Sequence, residues 1–174
     1  SPGSVSAMDD GALDQFRGLY EFGLDPFQEQ ACASILTGRG VLVAAPTGSG
    51  KTVVGEFAVH LAMERATKCF YTTPIKALSN QKYNDLVERY GADRVGLLTG
   101  DNSINGDAPI VVMTTEVLRN MIYAGRDLSD LGTVVVDEVH FLQDSYRGPV
   151  WEEVMIHLPQ HVRLVCLSAT VSNV

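Results

Sequence analysis

Several short runs of the chain are apolar at nearly every position: Val41-Leu42-Val43-Ala44-Ala45, Cys69-Phe70-Tyr71-Thr72, Val95-Gly96-Leu97-Leu98, Ile110-Val111-Val112-Met113, Thr133-Val134-Val135-Val136 and Leu164-Val165-Cys166-Leu167. A strand with one wet face alternates apolar and polar residues, whereas a strand covered on both faces does not. These runs therefore predict strands buried on both sides. Between them the spacing changes to that of a helix. Over 51–65, Val54, Phe57, Ala58, Leu61 and Ala62 fall on one face. A helix over 26–37 is closed by Gly38, and one over 75–90 by Gly91, the residue type that tolerates the turn at a helix C-terminus. A further helix over 116–123 follows Thr115, whose hydroxyl suits an N-cap. Strand and helix alternating in this way predict an α/β fold in three layers, a mostly parallel, doubly wound sheet with helices on both faces. Ligands of such sheets bind beyond the carboxyl ends of the strands.

Composition narrows the class. With 174 residues, 45% hydrophobic and 20% charged, the chain has the length and balance of one globular domain. Ser1 to Ala7 (SPGSVSA) are small, polar and turn-forming. Residues 1–10 are therefore expected to be a tail outside the fold, either disordered or an expression remnant, and 11–174 the domain. No apolar run approaches the roughly 20 residues of a membrane helix. A basic segment followed by an apolar core, the mark of a secretory signal, is not seen either. Cys32, Cys69 and Cys166 are widely separated, odd in number and set in apolar stretches. They read as buried thiols of a reducing compartment rather than as a disulfide framework or metal site. His60, His157 and His161 are expected on helix surfaces or ends. The net charge of −8 argues against a generally basic binding surface, so any nucleic-acid contact must lie in a local groove.

Candidate chemistry sits at the predicted strand ends. After Ala44 and Ala45 come Pro46-Thr47-Gly48-Ser49-Gly50-Lys51-Thr52, a small-residue loop opening a helix. Glycines let the backbone curl so that its N–H groups face a triphosphate. Thr47, Gly48, Ser49 and Gly50 would form that cradle, Lys51 would meet the β- and γ-phosphates, and the Thr52 hydroxyl would meet Mg2+. The general pattern has glycine where this chain has Ala45. The run Val134-Val135-Val136-Asp137-Glu138-Val139-His140 delivers adjacent carboxylates to a strand end. Asp137 is placed to hold the magnesium and Glu138 to orient and polarise the attacking water. Ser168 and Thr170, in Leu167-Ser168-Ala169-Thr170, offer hydroxyls that could bond the acidic motif and couple nucleotide state to a bound strand. Ahead of the loop, the Gln28 amide could pair with the adenine edge of ATP. Phe22 could stack on the base or, equally, anchor the core at a helix start.

Together these residues resemble the DExH-box helicases of superfamily 2. Tyr71-Thr72-Thr73-Pro74-Ile75-Lys76-Ala77-Leu78-Ser79-Asn80-Gln81-Lys82 is similar to motif Ia of the superkiller (Ski-like) RNA helicases, and Thr114-Thr115-Glu116-Val117-Leu118-Arg119 to their motif Ib. The run Arg147-Gly148-Pro149-Val150-Trp151-Glu152-Glu153 also fits that group. The resemblance covers 22–174 and implies the N-terminal RecA-like domain of an ATP-dependent RNA helicase. It implies a single-strand groove lined by Pro74, Ile75, Lys76, Ser79, Thr115 and Glu116, with RNA favoured over DNA. Contacts of this kind go to the sugar-phosphate backbone and carry little base specificity. It also implies a second RecA-like domain, to which His140 would couple and whose arginines reach the γ-phosphate. The domain by itself is expected to be a nearly inactive monomer. A DNA translocase and a nucleotide-gated RNA clamp are the alternative readings.

Overall fold

The computed structural model describes the backbone of residues 40–45, 48–139, 154 and 156–169, and the side chains of 52–139, 154 and 156–168. Strands β1 (Gly40–Ala45), β2 (Lys68–Thr73), β3 (Val95–Leu98), β4 (Ser103–Ile104), β5 (Ile110–Thr114), β6 (Leu131–Val136) and β7 (Arg163–Ala169) form one sheet in the order β1-β7-β6-β2-β5-β3-β4. Every pairing is parallel except β3 with β4. The predicted strands are all present. The short β4 was not predicted: both of its residues are exposed at the sheet edge, so no apolar run marks them.

Helices α1 (Gly48–Glu64) and α2 (Lys76–Tyr90) pack on one face, and α3 (Thr115–Tyr123) lies on the other. Alternation along the strands divides the core accordingly. Tyr71, Ile110, Val112, Val135, Val165 and Leu167 face Val54, Phe57, Leu61 and Leu86. Phe70, Val111, Met113, Val134, Val136 and Cys166 turn the other way, towards Leu118 and Val154. This is the predicted three-layer arrangement.

Local details depart from expectation at a few points. Helix α1 starts at Gly48 rather than at Lys51, so the loop glycines are already helical. The N-cap of α3 is Thr114, whose hydroxyl accepts from the Val117 N–H at 3.3 Å, while Thr115 is the first helical residue. His60 is not a surface residue: only 8% of it is accessible, because it falls beside Phe57 and Leu61 on the core face of α1. His157 and His161 are exposed, as predicted. Cys69 and Cys166 are buried free thiols whose pKa values burial pushes up to about 12 and about 11, which keeps them protonated and unreactive at neutral pH. Cys32 and the predicted 26–37 helix lie outside the described residues.

The β3–β4 edge has one strict steric requirement. A Cβ on Gly96 would lie 2.1 Å from the Asn105 carbonyl oxygen and 2.8 Å from that of Ile104. Both are backbone atoms, so the clash cannot be relieved by a rotamer change. Gly96→Ala is expected to cost about 1–3 kcal/mol, the usual range for overpacking. Urea unfolding should show a lower midpoint for the transition that includes this domain.

Candidate functional site

The strand order decides which motifs meet. Along the carboxyl edge of the sheet, β1 leads into the Gly48-Ser49-Gly50-Lys51-Thr52 segment, β7 carries Ser168, and β6 delivers Asp137 and Glu138. Next along the edge, β2 leads into Pro74–Ser79 and β5 into Thr115–Glu116. The register keeps these ends level: Ala45 pairs with Ala169, Val136 with Cys166, Thr72 with Val136, and Thr73 with Thr114. The segments expected from sequence to meet phosphate occupy one end of the edge, and those expected to meet a nucleic-acid strand the other. Gly48, Ser49, Gly50 and Lys51 form the first turn of α1, and their side chains are not described. Phe22, Gln28, Thr47, His140 and Thr170 lie outside the described residues, as does the 147–153 run.

Thr52, Asp137 and Glu138 line one cavity of about 170 Å³, together with Thr73, Leu78, Gln81, Lys82 and Asp85. The Asp137 carboxylate is held at both oxygens. Oδ1 accepts from the Glu138 N–H at 2.7 Å, and Oδ2 accepts from the Tyr71 hydroxyl at 2.6 Å. Burial, reinforced by the charge of Asp137 and the hydrogen bond to it, raises the Tyr71 pKa well above the ordinary phenol value, so the hydroxyl is a neutral donor. The Asp137 N–H donates to the Thr72 carbonyl at 2.9 Å, and the Val139 N–H to that of Leu167 at 2.9 Å. The acidic turn is thus tied to the strands on either side, β2 and β7. Between these anchors Glu138 has φ 56°, a left-handed conformation that costs a non-glycine residue about 1–3 kcal/mol. The tethered backbone over-determines that conformation and fixes where the Glu138 side chain departs.

A carboxylate and a hydroxyl on one small cavity are hard oxygen donors, the kind Mg2+ accepts. Magnesium draws its other ligands from phosphate and water, so these residues fit the ion that the motifs imply. Ser168 is buried near the end of β7, and a backbone bond, Val139 to Leu167, links its strand to the acidic motif.

At the other end of the edge, hydroxyls predicted to face a strand are used inside the protein. The Thr73 hydroxyl donates to the Ile75 carbonyl at 2.9 Å, which spends its proton. The Ser79 hydroxyl, 2.7 Å away, is then the donor to Thr73. The Thr115 hydroxyl donates to the Thr73 carbonyl at 3.2 Å, and both Ser79 and Thr115 are buried. These residues fasten the starts of α2 and α3 to the end of β2. What faces outward is Pro74, Ile75 (54% exposed), Lys76 and Glu116. Lys76 pairs with Asp101 on the surface, an exposed contact of little energetic weight. Helix α2 has no side-chain cap at Ile75 and no acid in its first turn, whereas α3 is capped by Thr114 and carries Glu116 in its first turn. Of these two helices, α2 is therefore the one whose positive end is left open to an anion.

Sequence reasoning missed a charged cluster between α1 and α2. Lys82 is buried, 5.0 Å above the Tyr71 ring and 3.9 Å from Glu56, whose closer partner is Arg89 at 3.1 Å. A signal was present: Lys82 shares the spacing of buried Ser79 and Leu86, and a lysine on a core-facing stripe requires a partner.

Comparisons with known proteins agree with this geometry. The DEAD/DEAH box helicase family profile matches residues 25–174. The chain is 67% identical over 162 residues to the probable helicase HelY of Mycobacterium leprae, covering 92% of this chain and 18% of that protein. It is 52% identical over 155 residues to the antiviral helicase SKI2 of Saccharomyces cerevisiae (88% and 12%). It is 49% identical over 168 residues to the DExH-box ATP-dependent RNA helicase DExH15, chloroplastic, of Arabidopsis thaliana (92% and 14%). The chain thus spans less than a fifth of the length of these relatives. Among solved structures, the UvsW helicase of bacteriophage T4 superposes with a TM-score of 0.69 at 18% identity, over 95% of this chain and 62% of that one, a likeness of fold. By its family profile, its relatives and its RecA-like sheet, the chain belongs to the DEAD/DEAH box helicases.

Proposed function

We propose that this chain is the ATP-binding and hydrolysing domain of a DExH-box helicase that remodels RNA single strands with little sequence specificity. The observation that carries the reading is the shared cavity of Thr52, Asp137 and Glu138 on the same sheet edge as the open N-terminus of α2. In this reading the turn at Gly48–Lys51 binds the phosphates, with Lys51 supplying positive charge to the transferred group. Thr52 and Asp137 would hold Mg2+, which when bound neutralises charge on the phosphate oxygens. Glu138 orients a water in line with the γ-phosphorus and accepts its proton. Lys76 and the first-turn amides of α2 take the sugar-phosphate backbone, while Ser79 and Thr115 position that turn from beneath.

RNA is favoured over DNA because the run from Tyr71 to Lys82 resembles the superkiller RNA helicases, and because DExH15 bears the name of an RNA helicase. We place 11–174 as the first RecA-like domain of a cytoplasmic protein, with a second such domain completing the site. None of the described helices is long and apolar enough to cross a membrane. The test is ATP hydrolysis by the full-length protein with single-stranded RNA, with single-stranded DNA or with neither. RNA is expected to raise kcat at least several-fold above the other two conditions. Equal or greater stimulation by DNA reassigns the polymer and makes the protein a DNA translocase.

A further inference from the structure

We propose that Tyr71 is a positioning residue for the metal-binding carboxylate: its hydroxyl sets the orientation of Asp137 and, through Asp137, the backbone of Glu138. The proposal rests on the nucleotide-site reading above and gives Tyr71, the first residue of the run likened to motif Ia, a role at the acidic turn rather than in the strand groove.

The phenol is fully buried and lies on β2, beside β6 in the sheet. Its Oη donates to Asp137 Oδ2 at 2.6 Å, the short distance of a bond to a charged acceptor. The opposite oxygen, Oδ1, accepts from Glu138 N–H at 2.7 Å. A carboxylate held from two sides cannot rotate without breaking one of these bonds. If the phenol oxygen is removed, Oδ2 loses this short bond and the ring puts no donor in its place. The carboxylate then gains by turning Oδ2 towards the wet side, and that rotation carries Oδ1 away from the Glu138 amide. The left-handed turn at Glu138 loses one of the bonds that hold it.

The ring itself is fixed from several sides. Gly55 on α1 leaves room for the hydroxyl, since a Cβ there would sit 3.2 Å from Tyr71 Oη and 2.8 Å from Leu167 Cδ1. Lys82 of α2 lies 5.0 Å over the ring, so the phenol is wedged between the helix of the phosphate loop and the helix of the strand-facing edge.

The alternative is that the phenol, buried for packing, simply uses the nearest acceptor. Magnesium separates the two. A fluorescent, non-hydrolysable ATP analogue would be titrated against the full-length protein in EDTA and in saturating magnesium chloride, for wild type, Tyr71→Phe and Thr72→Val. Thr72 is the control because its buried hydroxyl donates to the Val135 carbonyl at 2.9 Å and not to the carboxylate, while its own carbonyl, which accepts from the Asp137 N–H, is main chain and is kept in the variant. Tyr71→Phe keeps the ring, and its melting temperature reports whether the fold is retained. The expected result is an EDTA affinity unchanged within about twofold, with the affinity gained from magnesium reduced by about tenfold or more, the worth of one hydrogen bond to a charged group. Thr72→Val should keep the full magnesium gain. A Tyr71→Phe protein with the wild-type magnesium gain overturns the proposal, as does an equal loss in EDTA and magnesium, which would make the phenol a packing group. A wild-type protein with no magnesium-dependent nucleotide affinity removes the nucleotide-site reading itself and the proposal with it.

Discussion

Glu138→Gln is expected to lower kcat for strand-stimulated ATP hydrolysis in the full-length protein by about 10²–10⁴-fold, the usual contribution of a positioned general base. The KM for ATP should stay within a few-fold of wild type. The substitution exchanges a carboxylate for an amide of the same shape. Its backbone amide still donates to Asp137 Oδ1, because that bond comes from the main chain. The left-handed φ of 56° is no harder for glutamine than for glutamate, so the acidic turn should survive. On the proposed role of Glu138, what the amide removes is the ability to take a proton from the attacking water. The variant should therefore bind the ATP analogue and single-stranded RNA as wild type does and accumulate in the ATP-bound state. Single-turnover hydrolysis distinguishes this outcome from slow product release. An unchanged chemical step would assign the base elsewhere, to a group outside the described residues or a water held by another carboxylate.

Lys51→Ala should act at the earlier step, weakening ATP binding on the order of 100-fold while the domain keeps its melting temperature. Lys51 is the fourth residue of α1, where the chain has just turned from β1 into the helix. Alanine is the most favourable residue in a helix, so the backbone there loses nothing. A triphosphate seated on the first turn loses one charge-assisted contact, worth about 1.5–3 kcal/mol. Fluorescent-nucleotide titration reads the effect, and melting in the absence of nucleotide reads the fold. Retained affinity would dissociate the loop from the phosphates. The two variants form an ordered pair: Lys51→Ala fails to bind, whereas Glu138→Gln binds and does not turn over.

Much of the fold was legible because strand burial leaves a direct imprint on composition. β2, β5, β6 and β7 are covered on both faces and read as unbroken apolar runs. β4 has no such cover and left no imprint. His60 was misplaced because histidine is often exposed, yet its position beside Phe57 and Leu61 on α1 put it inside. At α3 adjacent threonines offered equivalent hydroxyls. Only the backbone turn shows that Thr114 caps the helix and Thr115 reaches back to Thr73.

The site divides along the same line. Local sequence by itself determined the glycine-rich turn from β1 into α1, the Asp137–Glu138 pair and the helix starts near Pro74 and Thr115, because each depends on residues within one turn of the chain. The tertiary structure decided what those motifs touch. The order β1-β7-β6-β2-β5 along one edge is a consequence of crossovers, and no local pattern encodes it. Crossovers of this kind brought Tyr71 against Asp137, 66 residues away, and set Lys82 above the ring that makes the contact. A tyrosine in an apolar run reads as core whether or not its hydroxyl has a task. Its partner is chosen by strand register and helix packing, which are set by burial summed over the whole sheet and by no single residue.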